Sequence, residues 1–171
     1  MYIDDGTIKV SSSSLDINVQ ILKREFTFIN GWLTRVGLLT APEKTELMHY
    51  SWRQDRGYLP TIDLPMPDGT TTVIKAAESI RILGLHLDRK LTFNQHVQKI
   101  TQKAKNAVAG TWILANTIRG LGQIQLRTLY RACVIPIMTY ACPVWWTGKK
   151  THVEKLTKVQ NKALRHMAGA F

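Results

Sequence analysis

The spacing of apolar residues changes character along the chain. Val19, Leu22, Phe26, Ile29 and Leu33 recur at intervals of three and four, which predicts one amphipathic helix. Ser14 or Asp16 is placed to cap its start and Gly37 to end it, with Gly31 a weak point inside. Ahead of it, Ile8 and Val10 alternate with Thr7 and Lys9 as in a half-buried strand, after an Asp5-Gly6 pair suited to a tight hairpin turn. Strand-like alternation returns at residues 47–52, 71–74 and 80–87. Between Gly57 and Gly69, three prolines (Pro60, Pro65, Pro67) and Asp68-Gly69 predict a turn-rich excursion.

From Leu91 onward the period is helical. Thr92 and Gln95 have capping-box spacing, and Val97, Ile100, Ala104, Val108, Thr111, Ala115 and Ile118 form one stripe, with Lys99, Lys103 and Lys105 off it. Gly120 and Gly122 end that helix. A second, over 123–135, turns Leu126, Leu129, Tyr130 and Cys133 inward and Arg127 and Arg131 outward, until Pro136 bends or stops it. A third opens on the box Thr151-His152-Val153-Glu154 and sets Val153, Leu156, Ala163, Leu164 and Met167 against Lys155, Lys158, Lys162 and Arg165. Trp145 and Trp146 read as core packing in preference to base-stacking platforms. The expected architecture is α+β: a small antiparallel sheet with a supporting helix over residues 1–90, then an all-helical domain over 91–171.

Charge sharpens this division. Residues 1–88 carry nine Lys/Arg against eleven Asp/Glu, whereas residues 89–171 carry fourteen against Glu154 alone, a net of +13. Solubilising surfaces usually mix both signs. A nearly acid-free half is the footprint of a polyanion partner, most often nucleic acid. With 171 residues, 44% of them hydrophobic, the chain can bury one or two small cores. Cys133 and Cys142 without metal-type pairing suggest a reducing, intracellular setting, and the five histidines (His49, His86, His96, His152, His166) lack ligand spacing, so no structural zinc is expected. The longest apolar tract, 133–146, is broken by Pro136 and Pro143 and is too short for a membrane span, so no membrane partner is expected.

Three features carry candidate chemistry. Asp4 and Asp5 sit at or beside a hairpin tip. They read either as turn-forming residues or as ligands for a hard cation such as Mg²⁺, which is usually held by one or two carboxylates plus substrate phosphates. Neighbouring strand residues face opposite ways, so both serve one site only if the turn re-aims one of them. Lys44, between Glu43 and Glu46, reads by itself as a surface ion pair. The stripe Lys155, Lys158, Lys162, Arg165 is either a solvated face or a surface laid along a phosphate backbone.

The run Tyr2-Ile3-Asp4-Asp5-Gly6 resembles the palm motif of reverse transcriptases. The remainder of the chain is similar to the non-LTR (LINE-type) retrotransposon enzymes along essentially its whole length. The resemblance runs through Gly37-Leu38, Glu43-Lys44-Thr45-Glu46-Leu47, Ile82-Leu83-Gly84-Leu85 and Leu91-Thr92-Phe93-Asn94-Gln95-His96-Val97. It continues in Leu129-Tyr130-Arg131-Ala132-Cys133-Val134, Tyr140-Ala141-Cys142-Pro143-Val144-Trp145-Trp146 and Val159-Gln160-Asn161-Lys162-Ala163-Leu164.

The resemblance implies a C-terminal part of a palm followed by a three-helix thumb, and Mg²⁺-dependent, template-directed nucleotidyl transfer in an intact parent. Asp4 and Asp5 would be catalytic metal ligands, and Tyr2 would pack near the primer. Lys44 would be a proton donor to pyrophosphate, and Leu83 and Gly84 part of a primer grip. The cations Lys99, Lys103, Lys105, Arg127, Arg131, Lys155, Lys158, Lys162 and Arg165 would meet an RNA template and DNA primer duplex. The implied location is nuclear. Such palms also use an Asp from an upstream strand, and no other acid here has a matching context. The chain reads as a fragment whose partners include the remaining fingers and palm of its parent, and which is not expected to polymerise processively by itself. A non-catalytic nucleic-acid-binding module and a decayed transposon remnant stay open as alternatives.

Overall fold

The computed structural model describes residues 6–51, 61–65, 69–115 and 120–169. The chain forms two units that divide between Ile80 and Arg81. Residues 81–90, grouped with the first domain by the sequence pattern, pack with the helices.

In the first unit, helix α1 spans Leu15–Arg35. Gly37 ends it as expected: its φ of 77° lets its own N–H reach the Thr34 carbonyl at 3.1 Å and the Leu38 N–H reach Leu33 at 2.9 Å, a Schellman cap. Ser14 is the N-cap residue but makes no side-chain capping bond. The inward stripe differs from the expected one by a residue, since Ile29 is exposed and Asn30 is buried one turn beyond Phe26. Asn30 repays its burial with hydrogen bonds. Its Nδ2 donates to the Pro65 carbonyl at 3.3 Å, and the Thr40 hydroxyl donates to its Oδ1 at 3.0 Å.

The sheet under α1 is three-stranded and mixed. Strand β1 (Leu47–Met48) is parallel to β3 (Thr71–Ala77), and β2 (Thr61–Pro65) is antiparallel to β3 on its other side. β2 corrects the expected excursion. Ile62 and Leu64 are buried with period two, and Ile62 faces Ile74 across the ladder. Pro65 costs nothing in pairing at the end of an edge strand. Phe26, Ile62, Leu64 and Ile74 make the core, with Ile8, Val19, Leu22 and Leu47 against it. A 3₁₀ turn, Pro42–Lys44, joins α1 to the sheet.

The expected single strand at 80–87 is two. Strands β4 (Ser79–Ile82) and β5 (Leu85–Asp88) pair through the two-residue connection Leu83-Gly84, whose φ angles of 47° and 83° define a primed hairpin turn. The expected Thr92–Gln95 capping box is replaced. Both Asp88 carboxylate oxygens accept bonds, from the Lys90 and Thr92 N–H groups at 3.1 and 2.9 Å and from the Thr92 hydroxyl at 3.0 Å, and so hold the turn into α2 (Asn94–Ala115). Phe93 enters that helix with φ of 55°, a conformation costing about 1–2 kcal/mol. Burying its ring is worth about 1.5–3 kcal/mol and offsets this.

Helices α3 (Gln123–Leu129) and α4 (Ile135–Thr139) join through a π-helical turn, Tyr130–Val134. The wide turn accommodates Pro136 without stopping the helix, and it delays the inward phase by a residue. Val134 is therefore fully buried, and Cys133, expected inside, is exposed. The short helix α5 (Cys142–Trp145) buries Trp145 completely while Trp146 stays 45% exposed, which splits the tryptophan pair.

Helix α6 spans Lys150–Ala168, one residue earlier than expected and with no side-chain cap bond. It buries His152, Val159 and Ala163, and exposes Val153 and Leu164. One core joins Ala104, Val108, Tyr130, Val134, Val159 and Ala163, and a second joins Phe93, Val97, Ile100 and Trp145 with Leu85 and Leu87. No helix among the described residues is long and apolar enough to cross a membrane.

Candidate nucleic-acid interface

Tyr2, Asp4 and Asp5 lie outside the described residues. Among the described residues, no group of three or more His, Cys, Asp and Glu side chains comes together as a metal site. Lys44 is exposed at the end of the 3₁₀ turn, where its backbone N–H bonds the Ala41 carbonyl at 3.1 Å.

In the second unit the β4–β5 hairpin presents Leu83 at its tip, 82% exposed. Tyr140 locks this tip. Its hydroxyl donates to the Leu83 carbonyl at 2.6 Å, and its ring edge stands 3.3 Å from where a Cβ on Gly84 would lie. Gly84 thus meets two demands, positive φ and close approach by a ring, that no other residue meets without strain. The group that approaches Gly84 closely is thus a side chain of the chain itself.

The helical cations are exposed, and two helices range them along faces. Lys99 and Lys103 stand one turn apart on α2, while Lys105 points to a different side of the helix. Arg127 lies on α3 and Arg131 on the π turn. On α6, Lys155, Lys158, Lys162 and Arg165 line one flank, roughly a third of a turn from the buried face.

Four histidines underlie this surface, and all are held below their ordinary pKa. For His96 the cause is burial first, then His86 and Lys103. For His152 burial is followed by Lys149 and Lys155, and for His166 by Lys162. His86 is shifted by burial, then Lys99, Arg81 and Lys103. The His96 and His152 rings are each fixed by a hydrogen bond. The His86 backbone N–H donates to His96 Nδ1 at 3.3 Å, which leaves the His96 proton on a buried Nε2 with no hydrogen-bond partner. His152 Nε2 donates to Asn94 Oδ1 at 2.9 Å, and its Nδ1 is buried and unpartnered. Sequence reading missed His86 and Arg81 as members of this surface, since a continuous strand through Leu83-Gly84 would not have paired them.

No family model and no solved structure matches the chain. Several similar proteins are described as RNA-directed DNA polymerases of transposons or mobile elements. Over 170 residues, 99% of this chain, it is 26% identical to the RNA-directed DNA polymerase from mobile element jockey of Drosophila melanogaster. From the same organism, the probable RNA-directed DNA polymerase from transposon BS is 24% identical over 96% of the chain, and that from transposon X-element 27% identical over 66%. The chain is thus similar, at modest identity, to RNA-directed DNA polymerases of mobile elements. It spans 18% of the length of the first two and 11% of the third.

Proposed function

We propose that this chain corresponds to the region of a non-LTR retrotransposon reverse transcriptase that runs from the acid pair of the palm into the thumb. The observation that carries this reading is similarity along nearly the whole chain to relatives described as RNA-directed DNA polymerases. The cationic faces of the helical unit support it, because catalysis on a template–primer duplex needs a surface that neutralises phosphates without reading sequence.

In the parent, Asp4 and Asp5 would hold Mg²⁺ together with a further carboxylate, and the ions would supply charge stabilisation for an in-line phosphoryl displacement. Lys44 would offset charge on the departing pyrophosphate. Leu83 and Gly84 would position the primer strand with Tyr2. Lys99, Lys103, Lys105, Arg127, Arg131, Lys155, Lys158, Lys162 and Arg165 would lie along the duplex backbone. Access to chromosomal DNA would place the parent in the nucleus.

The test is binding of a labelled RNA–DNA duplex, followed by anisotropy across a salt series. Replacing Lys155, Lys158 and Lys162 by Gln together should weaken binding and flatten the log–log salt slope by about 0.9 per lost phosphate contact. Unchanged affinity and slope would overturn the interface. With Mg²⁺ and deoxynucleotides, processive primer extension by this chain alone, lost in Asp4→Ala, would show that its own acids suffice.

A further inference from the structure

The β4–β5 hairpin and α2 bring together four groups that no single stretch of sequence unites. A two-residue hairpin connection sets Ile82 opposite Leu85, and so Arg81 opposite His86. Lys99 Nζ stands 3.1 Å from His86 Nδ1. An ammonium can only donate, so the imidazole is the acceptor, neutral at that nitrogen. Lys103 follows one turn later on the same exposed face of α2.

We propose that Arg81, His86, Lys99 and Lys103 form one phosphodiester site, and that a nucleic-acid strand binding there loads a proton onto His86. The proposal rests on the duplex-binding reading above and deepens it.

Its physical basis is an uncompensated cluster. Three permanent cations surround one imidazole, and neither Arg81 nor Lys103 has a carboxylate partner among the described residues. The other groups facing His86 do not relieve this. His96, 6.3 Å away between ring centroids, is itself a neutral acceptor of the His86 backbone N–H. Asp88, two residues along β5, is occupied by three hydrogen bonds within its own turn. Without a ligand, burial and then the cations push the His86 pKa down.

A phosphodiester reverses that balance. The guanidinium of Arg81 suits paired phosphate oxygens, and both lysines supply point charges. As Lys99 turns to the phosphate, His86 Nδ1 loses its donor, and the incoming negative charge favours the imidazolium. The ring then takes a proton from solvent and offers an N–H in place of a lone pair. Linkage requires the converse: binding must tighten as pH falls toward the range where the free ring begins to titrate.

The experiment uses the whole chain and the same RNA–DNA duplex. NMR follows the His86 ring through a pH titration with and without saturating duplex, while anisotropy gives affinity from pH 7.5 to 6 and circular dichroism checks the fold at each pH. The ring midpoint should move upward on binding. Affinity should rise several-fold on acidification in the native chain, and His86→Gln should remove that rise. Arg81→Gln, a change at an exposed position, should weaken binding roughly tenfold at low salt. A His86 midpoint that stays put while the duplex saturates would overturn the proposal, as would a pH response kept in His86→Gln. In both cases the wider duplex-binding reading stands. Absence of any binding would sink both.

Discussion

The two units solve the same problem with different resources. The first sets one helix on one face of a three-stranded sheet and closes a single core around Phe26, Ile62, Leu64 and Ile74. Its helix still exposes Phe28 at 75% and Trp32 at 56%. The second wraps helices around two cores, one centred on Val108, Val134 and Val159, the other on Val97 and Trp145. It also holds nearly all the uncompensated positive charge, which opposes its own compactness. A unit can carry such charge only where buried apolar area outweighs self-repulsion, and here the cations stand on exposed faces of helices whose other sides are well buried.

The largest expected difference between the units comes from Trp145→Ala. Trp145 is fully buried and its Nε1 donates to the Tyr140 carbonyl at 2.8 Å, so truncation should cost about 3–5 kcal/mol. Hydrogen exchange should show lost protection in α2, α5 and α6 while β2 and β3 keep theirs. Equal loss in both would mean the chain unfolds as one cooperative block.

Acid should separate them next. His86, His96, His152 and His166 are held below 6.5 in the folded second unit, whereas unfolded histidines bind protons near that value. Stability from these groups is fully present above about pH 6.5 and is lost as pH falls toward the lowered folded values. Urea midpoints for the second unit should be flat from pH 8 to 7 and should drop between 6.5 and 5. The first unit, whose one histidine is His49, should show less of this drop. A flat profile would remove the assignment of neutral, buried rings.

The smallest effect belongs to Gly37→Ala. A side chain at φ of 77° should cost the first unit about 1–2 kcal/mol through its helix cap, read as a lower urea midpoint with the second unit unchanged.

Much of this was legible in one dimension. The helix ended by Gly37, the stripe Val97, Ile100, Ala104, Val108 and the exposed lysines of α6 all follow from period and cap chemistry, which are local properties. β2 was hidden for a local reason too. Its flanking prolines signal turns, although Ile62 and Leu64 already alternate.

Other features had no local signal. Cys133 and Val134 exchange places because a π turn alters the helical phase, and nothing in their spacing announces that turn. His96 and His152 are buried because Asn94 and the His86 backbone reach them from elsewhere in the chain. Periodicity reports which side of an element turns inward, and composition reports what charge the surface bears. Which histidine meets which lysine, and whether Leu83-Gly84 continues a strand or reverses it, depends on partners distant in sequence. Only packing decides those.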